Sequence, residues 1–179
     1  MVKIMRIFVV MTLLLVTMAA PASAKGPDQQ VPIKGTVLGE HGPPDFSAPD
    51  CPGWAEWRYS SEGEGHMSHL GKVEYHLTQC TVSGPVTTSE GNITFVAANG
   101  DELWLEHTMF GQMVGTMDHP DGFLFTGEWT AVGGTGRFAH ASGSGDLHGT
   151  GNLYEIVDPD VPSWLMQTNF EGDIAYKRK

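Results

Sequence analysis

From Val73 onward, apolar side chains return at every second position and short turn signals interrupt them. In Val73-Glu74-Tyr75-His76-Leu77-Thr78 the odd positions are apolar and the even ones polar. The same alternation holds for Ile93, Phe95 and Ala97, for Leu103 and Leu105, for Phe123, Phe125 and Trp129, and, on even positions, for Phe170 and Ile174. A period of two is the signature of a strand with one face buried, because successive side chains point to opposite sides of a sheet. A further short strand is expected over 33–38. Ser83-Gly84-Pro85, Asn99-Gly100-Asp101 and His119-Pro120-Asp121-Gly122 separate the runs. Asn99-Gly100 is the strongest hairpin signal among them, since both residues tolerate positive φ. About eight strands result, with no amphipathic helix, so the expected class is all-β, a barrel or a sandwich. Closing the sheet into an eight-stranded antiparallel barrel removes its edges and leaves an interior that holds side chains or one small ligand.

The stretch Gly133-Gly134-Thr135-Gly136-Arg137-Phe138-Ala139-His140-Ala141-Ser142-Gly143-Ser144-Gly145 tests the opposite reading, a nucleotide site. Gly134 to Ala139 matches the permissive dinucleotide pattern G-x-G-x-x-A. That pattern works only where a helix follows and its N-terminus meets the pyrophosphate. Glycines at 143, 145, 149 and 151 follow instead, and no helix of useful length starts in such a run. The better reading is a tight turn, an anchor whose Phe138 plugs one end of a core, and a strand in which Gly143 and Gly145 leave room for bending or close approach.

Residues 1–24 carry Lys3 and Arg6, an apolar run from Ile7 to Ala20, and then Pro21-Ala22-Ser23-Ala24. This is the layout of a secretory signal peptide, and the apolar run is shorter than the ~20 residues of a membrane span. The expected organisation is a signal peptide over 1–24, a flexible leader over 25–31 and one barrel domain over 32–179. The mature protein is expected to be secreted or periplasmic, with no stable membrane span. Removing the leader peptide takes away two of the 10 basic residues and none of the 21 acidic ones. So acidic a surface repels phosphate backbones, and no nucleic-acid partner is expected. Cys51 and Cys80, an even count in an oxidising compartment, are expected to form a disulfide. A catalytic thiol would need a basic neighbour, and Asp50, Pro52 and Gln79 supply none. Pro43, Pro44, Pro49 and Pro52 mark 40–52 as the longest loop. Asn92-Ile93-Thr94 is a glycosylation sequon, with meaning only in a eukaryotic secretory pathway.

The segment from Gly133 to Gly149, the earlier Gly65-His66-Met67-Ser68-His69-Leu70-Gly71 and the closing Phe170-Glu171-Gly172-Asp173-Ile174 together resemble the allene oxide cyclase barrel-like group, which includes many exported bacterial proteins of unassigned function. The resemblance spans roughly 32–176. It implies an eight-stranded antiparallel, calycin-like barrel with an apolar cavity, in which the plant enzymes fold an unstable fatty-acid epoxide toward cyclisation. The buried carboxylate and poised polar group of those enzymes match no position here.

The eight histidines invite a metal reading. His66 and His69, three apart, fall on opposite faces of a strand. Asp146 and His148 share a face, yet zinc needs three or four ligands. No metal and no other cofactor is therefore expected. His107 continues the buried parity of Leu103 and Leu105 and is the candidate general base. Glu106 and Glu128 fall on the polar parity and would become paired carboxylates only if that parity faced inward. Tyr75, Phe95, Leu105, Phe125, Trp129 and Phe170 share the apolar parity and are the candidate ligand-binding residues. The first functional expectation is an exported barrel that binds a small hydrophobic molecule. The alternatives are an isomerase or cyclase positioning its substrate by cavity shape and a dirigent-like or protein-interaction module.

Overall fold

The computed structural model describes residues 30–48, 50–116, 119–152 and 164–177. The expected signal peptide and most of the leader lie outside them. Eight strands follow in order: β1 (Val31–His41), β2 (Trp57–Met67), β3 (Gly71–Val82), β4 (Thr87–Ala97), β5 (Glu102–Thr116), β6 (His119–Gly134), β7 (Ser142–Asn152) and β8 (Trp164–Ala175). Each pairs antiparallel with its neighbours in sequence, and β1 returns to β8, from Val31 opposite Ile174 to His41 opposite Trp164. The sheet is a closed eight-stranded barrel.

The apolar parity of each run faces inward, the odd positions in β1 to β7 and the even ones in β8. Ile33, Val37, Val73, Tyr75, Ile93, Phe95, Leu103, Leu105, Phe125, Trp129, Phe170 and Ile174 are all buried, while Glu74, His76, Glu106 and Glu128 are exposed. Phe95 of β4 meets Phe170 of β8 edge to face at 5.1 Å. These strands are not neighbours in the sheet, so the contact crosses the lumen and the waist of the barrel is filled.

Where side chains are missing, rings take their place. A Cβ on Gly145 or Gly172 would stand 2.7 or 2.6 Å from Cζ2 of Trp129. The glycines of β7 and β8 therefore let the indole lie against bare backbone, and its Nε1–H donates to the Asp146 carbonyl at 3.1 Å. Beyond β6 the chain makes a 3-10 turn over Gly136–Phe138. Gly136 sits at φ +54, where a side chain would also run into the Asp101 carboxylate. The turn drives Phe138, fully buried, into the end of the barrel, against Tyr176 at 5.0 Å. This is the plugged end.

Three expectations change. The first strand runs to His41 rather than Leu38, so the long loop starts two residues later than its polar composition indicates. β2 has no counterpart among the expected runs, because its inward positions include Ser61, Gly63 and Gly65 in place of large apolar residues. His119 to Gly122 belongs to β6, with Thr116 opposite His119. The pairing shifts between Val114 opposite Gly122 and Gly115 opposite Pro120. Asp121 is the extra residue of a bulge, a place where a strand tolerates proline.

Candidate functional site

The end opposite Phe138 is built from the last residues of β1, β3 and β5 and the first of β2, β4, β6 and β8. Register alone assembles it: His41 stands opposite Trp164, Tyr59 opposite Gln79 and Met113 opposite Phe123. Together with Trp57, Met109 and Met166 these residues line a half-open cavity of about 290 Å³ at this mouth of the barrel. Larger grooves of about 520 to 580 Å³ lie on the outer wall, bounded by outward-facing residues such as Phe110, Leu124 and His148.

One side of the cavity is an aromatic chain. Trp57 meets Tyr59 at 6.2 Å and Tyr59 meets Trp164 at 5.9 Å, both edge to face. Outside, Phe46 of the long loop reaches Trp57 at 5.8 Å. Thioethers of Met109, Met113 and Met166 supply adaptable, polarisable walls.

Toward the waist the cavity ends on a layer of buried uncharged polar groups. His41, Ser61, Gln79, Thr81, Ser89, His107 and Thr168 are each at most 5% exposed. His107 Nε2–H donates to Gln79 Oε1 at 3.1 Å, which leaves Nδ1 as a bare acceptor, and among the described residues it finds no donor. The Ser61 hydroxyl is likewise buried without a partner there. The His41 ring stands edge-on to Tyr59 at 5.5 Å. Burial disfavours the charged form of an imidazole. It pulls His41 down to about 4 and, helped by repulsion from His41, takes His107 to about 4 as well. Both rings are neutral at pH 7. The Tyr75 phenol is pushed far above its ordinary value by burial, with a hydrogen bond to Thr168 pulling the other way. The layer offers donors and acceptors and no net charge.

Of the residues expected to bind a ligand, Tyr75, Phe95, Leu105, Phe125, Trp129 and Phe170 all point inward and are buried. They fill the waist, and none borders the 290 Å³ cavity. His107 lies behind Gln79 and does not border it either. His41, Gln79, Trp57, Tyr59, Trp164 and the methionines escaped the sequence reading. Only His41 carried a signal, as the continuation of the parity Ile33, Val37 beyond a presumed strand end.

The disulfide between Cys51 and Cys80 is present. Cys80 is on the outward parity of β3, so the bond holds the long loop on the outer wall. Arg58 adds to the clamp, its guanidinium bonding Asp50 at 2.8 Å and Asp45 at 3.0 Å. Glu106 and Glu128 are exposed outside. His66 points outward from β2, and His69 sits in the following turn, where its ring nitrogen donates to the Pro32 carbonyl at 2.9 Å. Among the described residues no three His, Cys, Asp or Glu side chains converge as metal ligands would.

No family model matches the chain, and no curated protein does. Among solved structures, it is similar to a pterocarpan synthase dirigent protein, with a TM-score of 0.44 and 12% identity over 84% of this chain and 88% of that one.

Proposed function

We propose that the chain is an exported barrel that binds one small apolar molecule in the cavity between His41, Trp57, Met109 and Trp164. The observation that carries this reading is a 290 Å³ pocket at the barrel mouth with mainly apolar walls and a few polar groups, the common composition of a ligand site. At the ~30 Å³ that a water-sized group occupies in a liquid, the space takes about ten non-hydrogen atoms. Export fits the disulfide between Cys51 and Cys80, a bond that persists in oxidising compartments.

Isothermal titration with toluene and with octan-1-ol tests the reading. The expected result is one saturable site with a negative heat-capacity change, the mark of apolar burial on binding. Filling the space with Met166→Trp should remove it. Absence of any saturable binding, or equal binding by the filled variant, defeats the proposal.

A second reading, cyclisation or isomerisation in the same cavity, is favoured by His41. An uncharged imidazole beside an apolar space can take a proton from a bound substrate. His107 would then act through Gln79 as a positioning residue. If His41→Phe binds and converts a substrate as well as the parent does, the acid–base version of this reading is lost.

A further inference from the structure

We propose that the inner wall of the cavity selects the ligand's head group: His41 and Gln79 together hold a neutral hydroxyl and turn away a carboxylate on a chain of the same length. This rests on the cavity being a ligand site, and it adds the chemical class of the ligand.

The orientation of Gln79 follows from its partner. Gln79 Oε1 accepts from His107 Nε2–H at 3.1 Å, so the oxygen edge of the amide is turned toward β5. The NH2 edge is left to donate, and Gln79 borders the cavity. His41 borders the same space, and a neutral imidazole brings one acceptor nitrogen and one donor. A hydroxyl both donates and accepts. It can give its proton to the His41 acceptor while its oxygen takes an N–H of Gln79, so that one group engages both residues bordering the space.

A carboxylate meets a different environment. Among the described residues, the buried polar groups are His41, Ser61, Gln79, Thr81, Ser89, His107 and Thr168, none of which carries a charge near neutral pH. The rest of the lining is mostly aromatic rings and methionines, with Ser83 and Thr87 as further uncharged polar groups and no cation. An anion entering here gives up its water without meeting a countercharge, and that desolvation is the larger effect. An ether of the same size loses less, because it can still accept from Gln79 but has nothing to offer His41.

The test is calorimetric titration of the disulfide-bonded protein near pH 8 with three ligands: octan-1-ol, its isomer 1-methoxyheptane, and octanoate. The expected order is the alcohol about tenfold tighter than the ether, the worth of roughly one hydrogen bond, and octanoate weaker still by a further factor of at least about ten. In Gln79→Leu and in His41→Phe the preference for the alcohol over the ether should shrink toward one. Equal affinity for alcohol and ether, tighter binding of octanoate, or an alcohol preference that survives in both folded variants overturns the head-group assignment and leaves the cavity reading standing. If none of the three ligands binds, both readings fall together. Should His41→Phe not fold, the ligand series on the parent protein decides by itself.

Discussion

The two ends of the barrel are made from the same strands and differ in what fills them. At the plugged end Phe138, Leu103, Ile174 and Tyr176 are buried, ring against ring at 5.0 Å for Phe138 and Tyr176, and the turn that carries Phe138 is tied down by the Lys177 amide donating to the Arg137 carbonyl at 3.1 Å. At the other end His41, Gln79 and His107 form a buried polar layer beneath a space of about 290 Å³. One end has given up space for packing, and the other keeps space at the expense of packing. Protein interiors are close-packed, so a retained void edged by polar groups marks the end that meets something else.

Acid should separate the ends most sharply. The two histidines are held near 4 in the fold against about 6.5 in the unfolded chain. Between these values the unfolded chain binds protons that the folded one refuses, so stability falls as pH drops from about 6.5 to 4 and the fall ends below 4. The loss is about 3 kcal/mol for each histidine. Urea midpoints measured across this range should show it, and His41→Gln should remove about half of the slope. A pH dependence identical in that variant would show that the polar layer is not what titrates.

Next in size is the plug. Phe138→Ala should cost about 4 kcal/mol, the usual price of deleting a buried ring, read as a lower urea midpoint with intact ligand affinity. A loss of affinity as large as the loss of stability would mean that the ends are not independent. Reducing or replacing the Cys51–Cys80 bond should cost about 3 kcal/mol through the entropy of the long loop. Because that bond sits on the outer wall, cavity titrations should be unchanged. The smallest effect is expected for Met113→Ala at the cavity end. Its side chain is 47% exposed, and the stability change should stay below about 1 kcal/mol while apolar ligands bind more weakly.

The strands that could be read from the chain are those whose inward positions are large. Val73, Tyr75 and Leu77 in β3 or Phe123, Phe125 and Trp129 in β6 announce their parity. β2 does not, because Ser61, Gly63 and Gly65 stand where apolar residues would. At Gly63 and Gly65 a Cβ would run into the neighbouring strand β1, at Gly39 Cα and at the Val37 side chain, while in β1 and β7 the space is taken by rings: a Cβ on Gly39 would stand 3.0 Å from the Tyr75 ring and one on Gly145 would collide with Trp129. The sequence loses its alternation where a neighbouring strand's backbone or ring occupies the space of a side chain. The candidate site was less legible for a related reason. Tyr75, Phe95 and Phe170 are the large inward residues and stand out, yet their size is why they fill the waist and leave no cavity there.

Local chemistry written in the residues determined a great deal: the all-β class and the inward parity follow from the two-residue period, the plug from a glycine-rich turn that can deliver Phe138, and the disulfide from two cysteines. Only the closed sheet decided which strand ends meet. His41, Gln79, Trp57, Met109 and Trp164 come from five strands, and no spacing along the chain links them. Register across β1, β2, β3, β5 and β8 brings them to one end, and the burial that follows keeps both histidines neutral.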